Sequence, residues 1–252
     1  MKKLIALITV LALSLSIIGA VAESTFTTIE PGKLSYATSP DFPPFESRDE
    51  NDNVIGIEPE IMGLIAEKLG VELEIVSMDF TSALASAQLG KTDMVVSGVT
   101  ATGEKYLERS AMFDFTDIYT YIQQAVVFKT GADVTLANLG EKTIGVQAGT
   151  TGQGYAEDDY GEDHVVAYDT YALAFQALLN GQVDCIMLDD VVGNAYLKIH
   201  PELSIIPTEY EQEGFAFGVF KQDTGLLEAI NAALKELVDA GTVEEIIVKW
   251  NN

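Results

Sequence analysis

Residues 93–119 read D-M-V-V-S-G-V-T-A-T-G-E-K-Y-L-E-R-S-A-M-F-D-F-T-D-I-Y, and this stretch decides the fold. The short apolar run at 94–96 predicts a buried strand. Small polar residues follow it, and Thr102 as N-cap with Glu104 in the first turn predicts the start of a helix. A strand that leads into a helix through Ser, Gly and Thr exposes backbone N–H groups, which commonly bind a carboxylate or a phosphate.

Two basic residues on the predicted helix strengthen this indication. Lys105 and Arg109 lie four positions apart, so they share one helical face and place positive charge near the exposed amides. Positive charge is scarce in this chain, which has 14 Lys and Arg against 39 Asp and Glu. Two interpretations stay open for the stretch, namely an anion-binding site or an ordinary capped helix with a solvated basic pair.

The same pattern of helix and strand recurs 91 residues further along the chain. Residues 78–98 (M-D-F-T-S-A-L-A-S-A-Q-L-G-K-T-D-M-V-V-S-G) match residues 169–189 (D-T-Y-A-L-A-F-Q-A-L-L-N-G-Q-V-D-C-I-M-L-D). Alternating strands and helices predict parallel sheets with right-handed crossovers. We therefore expect two similar α/β lobes, whose ligand-binding edges lie at the carboxyl ends of the strands and face a common cleft.

Two apolar runs connect the predicted lobes. Residues 119–128 form a run that is too long for one average strand, and it fits a strand that crosses from the first lobe to the second. Residues 215–220 fit a return crossing. Lobe one would then comprise residues 33–121 and 216–252, and lobe two would comprise residues 122–215. A pair of crossing strands predicts a hinge between the lobes.

The first 22 residues have the pattern of a secretory signal peptide. Lys2 and Lys3 precede an apolar run at 4–18, and Ala20-Val21-Ala22 has the small residues of a cleavage site. Cleavage after about Ala22 would release the mature protein into the periplasm or outside the cell.

Composition argues against several classes of partner. The formal net charge of −25 at pH 7 argues against nucleic acid and anionic membranes, and it favours a monomer. The single cysteine, Cys185, lies in an apolar run and is predicted to be buried. His164 and His200 have no Cys or carboxylate at ligand spacing, so no metal is expected. No motif for a cofactor or a catalytic nucleophile is complete, so we expect neither a cofactor nor an enzyme.

The residues at the predicted cleft suit a small zwitterion. The basic pair and the exposed amides would bind a carboxylate, and Asp189 would bind an ammonium group. Phe42, Phe45 and Phe80 would enclose the side chain of the ligand. These groups together predict an amino acid as the ligand.

Several short motifs resemble those of the type-3 extracellular solute-binding proteins, the periplasmic amino-acid receptors of ABC importers. They are F-P-P-F at 42–45, G-I-E-P-E-I at 56–61, S-G-V-T-A-T at 97–102, D-F-T-D-I-Y at 114–119, G-V-Q-A-G-T-T at 145–151 and G-T-V-E-E-I-I-V-K-W at 241–250. The resemblance implies the α/β two-lobed periplasmic-binding-protein fold, with a mainly parallel sheet flanked by helices in each lobe and two crossing strands as the hinge. It also implies that the lobes close on an amino acid and deliver it to an ABC-type membrane permease.

The resemblance assigns roles to individual residues. It implies aromatic walls at Phe42 and Phe80, a carboxylate clamp at Gly98, Thr100 and Thr151, an ammonium-binding carboxylate at Asp189, and selectivity positions near Ser39, Gln147 and Leu188. Family members that prefer cationic ligands are similar in carrying an acid where Ser39 stands, so a neutral amino acid is favoured over lysine or arginine.

The clamping base differs from the family pattern. The family usually has an Arg in T-x-T-P-E-R, whereas Lys105 stands at that place here and Arg109 keeps the usual spacing to Asp114. A four-residue insertion, about one helical turn, accounts for both observations. We favour Arg109, because Arg forms a planar fork that Lys lacks, and Lys105 stays an alternative.

Two other functions stay open on the same scaffold. One is a dehydratase-like enzyme acting on a cyclic acid, which would need a general acid in the cleft. The other is a soluble sensor subunit that docks on a receptor rather than on a permease.

Overall fold

The computed structural model describes residues 26–222 and 225–252, so the predicted signal peptide at 1–22 lies outside the described residues. Two five-stranded sheets form the centres of two lobes, and a short two-stranded pair joins them. Helices cover both sheets. The predicted two-lobed α/β architecture is confirmed.

The chain builds most of lobe one first, crosses to lobe two, and then returns. The first part contains β1 (Lys33–Thr38), β2 (Ser47–Arg48), β3 (Val54–Ile55), α1 (Ile57–Leu69), β4 (Glu72–Ser77), α2 (Phe80–Gln88), β5 (Met94–Val95), α3 (Gly103–Arg109) and β6 (Phe113–Phe115). The crossing and lobe two contain β7 (Thr120–Ile122), β8 (Gln124–Lys129), β9 (Ile144–Gln147), α4 (Thr151–Tyr160), β10 (Val165–Tyr168), α5 (Tyr171–Asn180), β11 (Cys185–Asp189), α6 (Asp190–Ile199) and β12 (Leu203–Pro207). The return contains β13 (Glu213–Phe215), β14 (Gly218–Phe220), α7 (Leu226–Asp239) and α8 (Thr242–Asn251).

The two sheets share one topology. Lobe one has the strand order β4-β1-β5-β14-β6, and lobe two has the order β10-β9-β11-β8-β12. In each sheet the first three strands run parallel and the last two pair antiparallel. The parallel part places the ends of β1, β5, β9 and β11 at the edges where the lobes meet, as expected for ligand-binding α/β sheets.

The sequence repeat corresponds to a structural repeat. Phe80 and Tyr171, which stand 91 residues apart, are the first residues of α2 and α5. The residues before them cap the helices, since Asp79 accepts from the Ser82 N–H and Thr170 accepts from a backbone N–H of α5. An aromatic side chain therefore sits at the start of the same helix in each lobe.

The crossing differs from the predicted single strand. Residues 119–128 break at Gln123 into β7 and β8. The Gln123 side chain donates to the Thr208 carbonyl at 2.9 Å, and its backbone N–H donates to Asp190 Oδ1 at 3.2 Å. Its backbone N–H therefore does not pair with a neighbouring strand. β7 pairs antiparallel with β13, and these two short strands are the connection between the lobes.

Buried apolar side chains form the core of both lobes. Cys185 is fully buried in the second sheet, as predicted. Burial raises the pKa of its thiol to about 12. Within 26–222 and 225–252, no helix is long and apolar enough to cross a membrane. The same ranges contain no group of His, Cys, Asp and Glu arranged to hold a metal ion.

A pair of buried carboxyl groups, Glu46 and Glu58, lies behind the cleft in lobe one. Both side chains are fully buried. Ser97 Oγ donates to Glu46 at 3.0 Å, and Tyr119 Oη donates to Glu58 at 2.5 Å. Burial, and then the negative charge of Glu58, raises the pKa of Glu46 well above its usual range. Glu46 therefore holds a proton to a higher pH than an exposed glutamate does.

Replacing Glu46 by glutamine should make the stability of the protein less dependent on pH. A carboxyl whose pKa is raised by folding stabilises the fold below its unfolded pKa, and that contribution is lost as pH rises through the folded pKa. The melting temperature of Glu46→Gln should therefore rise relative to that of the wild type as the pH is raised from 5 to 8. Exposed Glu67→Gln is the control, and an equal difference at both pH values would contradict the expectation.

Candidate functional site

A small pocket lies between the two lobes. The space left between its walls is small, with room for about one water molecule. Its walls are Ser39, Phe42, Phe80, Ser97, Gly98, Thr100 and Arg109 from lobe one and Gln147, Thr150, Thr151 and Asp189 from lobe two. The structure thus brings together the predicted site residues except Phe45, Lys105 and Leu188.

These residues lie where strands end and helices begin. Ser39 follows β1, and Gln147 and Asp189 are the last residues of β9 and β11. Phe80 and Thr151 are the first residues of α2 and α4. Such positions carry side chains and free backbone groups into the cleft without interrupting either sheet.

Arg109, the last residue of α3, is buried in the pocket. Its guanidinium donates to the Thr100 carbonyl at 3.1 Å and, across the cleft, to the Gly149 carbonyl at 3.2 Å. The guanidinium carbon lies 5.5 Å from the centre of the Phe80 ring, which is cation–π distance. Burial lowers the pKa of Arg109 to about 10, so the side chain stays charged at neutral pH.

Lys105 lies outside this pocket. Its ammonium pairs with Glu108 at 2.8 Å, and the side chain is 30% exposed. It lines a separate cavity between α3 and α4. Of these two basic residues, Arg109 lines the pocket between the lobes and Lys105 does not.

Asp189 faces Arg109 from the other lobe and is 6% exposed. Gln124 Nε2 donates to its Oδ1 at 2.6 Å and to Thr151 Oγ1 at 3.2 Å. Burial, followed by the nearby charges of Glu213 and Asp190, raises the pKa of Asp189 well above its usual range, and Arg109 opposes that shift. A cationic group beside Asp189 would favour its ionised form.

Two phenylalanines provide the apolar walls. Phe42 stacks on Phe45 at 5.6 Å and on Tyr171 of lobe two at 5.7 Å, measured between ring centroids. Gly98, with φ +56°, lies directly beneath Phe42, and a Cβ there would come within 2.3 Å of the ring. Glycine therefore allows Phe42 to occupy its place over the pocket.

Two of the amides that were predicted to bind an anion donate hydrogen bonds to other parts of the protein. The Gly98 N–H donates to both oxygens of Glu58 at 3.1 Å, and the Ala101 N–H donates to the Gly214 carbonyl at 2.8 Å. Thr100 Oγ1 donates to Glu213 at 2.7 Å. The prediction of free amides in this stretch is wrong for Gly98 and Ala101, because α1 and β13, which are remote in sequence, supply their acceptors.

Two polar side chains, Ser39 and Gln147, line one end of the pocket. Ser39 donates its hydroxyl to Asp41 at 2.8 Å, and Gln147 Nε2 donates to the Asp169 carbonyl at 3.2 Å. Leu188, the third predicted selectivity position, is buried and does not line the pocket. Thr150 lines it and was missed, although the second residue of a Gly-Thr-Thr turn before a helix is a recognisable signal.

Glu213 on β13 was also missed. It is 3% exposed, and its Oε1 has no hydrogen-bond partner among the residues that the structure describes. Its charge acts on both Arg109 and Asp189. Arg109 therefore has two acidic residues near it, Asp189 and Glu213, and no sequence motif marked Glu213.

Comparison with known proteins decides the family. The sequence profile of the bacterial extracellular solute-binding proteins, family 3, matches residues 34–252. The chain belongs to this family. This solute-binding protein is 31% identical over 234 residues to ABC transporter arginine-binding protein 1 of Escherichia coli (strain K12), covering 91% of this chain and 95% of the relative. It is 29% identical to an arginine-binding extracellular protein of Bacillus subtilis (strain 168), covering 99% and 98%.

Solved structures agree with this assignment. An ancestral arginine-binding protein bound to glutamine superposes with a TM-score of 0.81 and 36% identity, covering 88% of this solute-binding protein and 98% of that chain. The arginine-bound form of truncated ArgBP from T. maritima superposes with a TM-score of 0.76 and 37% identity, covering 82% and 96%. The family and the fold implied by the motifs are confirmed, and the family is extracellular.

Proposed function

We propose that this protein binds one free amino acid between its lobes and delivers it to the membrane components of an ABC importer. The observation that carries the proposal is the pair Arg109 and Asp189. The two side chains enter one small pocket from opposite lobes, and their opposite charges match the two charges of an amino-acid backbone. Because each lobe holds one of them, a bound ligand favours the closed arrangement.

The ligand would lie with its carboxylate at Arg109 and at the start of α4. Thr151 is the first residue of that helix, and a helix N-terminus favours an anion. The ammonium group would meet Asp189, and the side chain would run between Phe42 and Phe80 toward Ser39. Because the Gly98 N–H already donates to Glu58, Gly98 would offer its carbonyl to the ammonium group rather than its amide to the carboxylate.

Arginine is the first candidate ligand. The relatives described above are named for arginine, and two acidic residues, Asp189 and Glu213, accompany one basic residue at the pocket, which suits a ligand with net charge +1. The absence of an acid at Ser39 favoured a neutral ligand. Asp41, however, accepts a hydrogen bond from Ser39 at 2.8 Å and places an acid behind that end of the pocket, although it does not line the pocket itself.

The finer parts of the proposal concern location and activity. We infer a mature chain that is released from the cell membrane after cleavage near Ala22, acts as a monomer and catalyses no reaction. The formal net charge of −25 supports a monomer that binds neither nucleic acid nor anionic membranes. Lobe one at 33–121 and 216–252 and lobe two at 122–215 would move about the β7–β13 pair.

A thermal-shift screen of refolded, ligand-stripped protein tests the proposal. Arginine at a hundredfold its dissociation constant should stabilise the fold by about 2.7 kcal/mol, which corresponds to roughly 5–10 °C for a chain of this size. Citrulline has the shape of arginine without its charge and is the matched control. We expect arginine to shift the melting temperature more than citrulline, lysine or glutamine does.

Other outcomes separate the alternatives. A larger shift with glutamine or citrulline would contradict a cationic ligand but keep the receptor function. A shift only with a cyclic dicarboxylate, together with product formation followed by NMR, would indicate the enzyme and overturn the receptor function. Normal uptake of the identified amino acid by cells that lack this protein would overturn delivery to an importer.

A further inference from the structure

A second set of contacts joins the lobes outside the ligand pocket. Asp41, in the loop after β1, accepts the Tyr171 N–H of lobe two on its Oδ2 at 2.6 Å. Tyr196 Oη, also from lobe two, donates to the Asp41 backbone carbonyl at 3.2 Å. Asp41 is not among the residues that line the pocket, so these contacts do not depend on touching the ligand.

The Asp41 carboxylate sits at the positive end of a helix. Tyr171 is the first residue of α5, a helix of 10 residues, and its N–H has no acceptor within the helix. A carboxylate at a helix N-terminus is stabilised by the exposed N–H groups and by the helix dipole. Here the helix belongs to lobe two and the carboxylate to lobe one, so the interaction exists only when the lobes are together.

The neighbouring residue reinforces the contact. Phe42 stacks on the Tyr171 ring at 5.7 Å between ring centroids with 23° between the planes. The other oxygen of Asp41 accepts the Ser39 hydroxyl at 2.8 Å, and Ser39 lines the pocket. Asp41 is thus held in place by a pocket residue on one side and anchors the start of α5 on the other.

We propose that Asp41 is a positioning residue that fixes α5 against lobe one and thereby sets how long the lobes stay closed on the ligand. The inference rests on the proposed function, because it concerns the lifetime of the bound amino acid. A contact made only in the closed form shifts the equilibrium toward that form. Since it forms after the ligand has entered, its loss should act on dissociation rather than on association.

The kinetic test compares Asp41→Ala with Thr170→Ala. Thr170 caps α5 from within lobe two, so its loss weakens the same helix end without removing a hydrogen bond between the lobes. In stopped-flow measurements with arginine, Asp41→Ala should raise the dissociation rate constant at least about tenfold and change the association rate constant less than about twofold. Asp41→Asn, which keeps an acceptor without the charge, should lie between Asp41→Ala and the wild type.

A distance measurement makes the test independent of ligand identity. Spin labels on Glu67→Cys in lobe one and Asp163→Cys in lobe two, both exposed sites, report the distance between lobes, while Cys185 is buried. Asp41→Ala should shift the distribution toward longer distances, and Thr170→Ala should leave it unchanged. Identical distributions for Asp41→Ala and the wild type, or an unchanged dissociation rate, would overturn the inference.

The outcomes also separate this inference from the proposed function. If the wild type binds no amino acid, the proposed function fails, and the distance distributions still decide the role of Asp41. If the wild type binds and Asp41→Ala releases ligand at the same rate, only the inference about Asp41 fails. Circular dichroism of each variant, compared with the wild type, shows whether the fold is kept.

Discussion

Replacing Arg109 by alanine should weaken amino-acid binding by roughly 30- to 5,000-fold, because truncating one partner of a buried, hydrogen-bonded charge pair costs about 2–5 kcal/mol. Arg109 is 3% exposed, and its guanidinium would form the planar fork that holds the ligand carboxylate. Arg109→Lys keeps the charge without the fork and should recover only part of the affinity. Isothermal titration calorimetry with arginine measures each variant.

Two controls make the Arg109 result specific. Lys105→Ala removes only a partly exposed ion pair with Glu108 and should change affinity less than about fivefold. Agmatine, which is arginine without its carboxylate, should bind Arg109→Ala and the wild type with similar affinity. If agmatine loses as much affinity as arginine does, Arg109 supports the fold rather than the carboxylate. If Lys105→Ala is the damaging change, the clamp is Lys105.

Replacing Asp189 by asparagine should have opposite effects on binding and on stability. Binding of arginine should weaken by at least roughly 30-fold, since the ammonium group loses its buried counter-charge at a cost of about 2 kcal/mol or more. The empty protein should melt at a higher temperature near neutral pH. Burial raises the pKa of Asp189, so its contribution to stability is lost as pH rises through the folded pKa, and asparagine removes that cost.

The controls for Asp189 follow the same logic. Asp158→Asn changes an exposed carboxylate on α4 of the same lobe and should alter neither affinity nor melting temperature. The 2-hydroxy analogue of arginine lacks the ammonium group, so it should bind Asp189→Asn and the wild type about equally. A variant that melts at a lower temperature and binds arginine normally would show that Asp189 serves the fold and not the ligand.

The sequence predicted the site best where the chain repeats itself. The match of 78–98 with 169–189 places Phe80 and Asp189 at corresponding edges of two sheets, and both line the pocket. That prediction succeeds because hydrophobic periodicity and the end of a strand are local properties. The choice between Lys105 and Arg109 was harder, since both share a helical face and only the packing of the helix end buries one of them.

Long-range contacts account for what the sequence missed. The Gly98 amide is bound by Glu58, which stands 40 residues earlier, and the Thr100 hydroxyl is bound by Glu213, which stands 113 residues later. Nothing local to the 97–102 stretch indicates these acceptors. The break at Gln123 was missed for a related reason, because the apolar run continues through it and only contacts with Thr208 and Asp190 turn its hydrogen bonds away.

The position of β14 within the first sheet affects how the protein reaches its native state. Lobe two, from β8 to β12, is continuous in sequence, whereas β6 pairs with β14 and β14 pairs with β5. A chain that leaves a translocation channel from its N-terminus cannot finish lobe one until residues 218–220 have emerged. We therefore expect lobe two to fold first as a unit, with the slow step of folding being the insertion of β14 between strands more than 100 residues away.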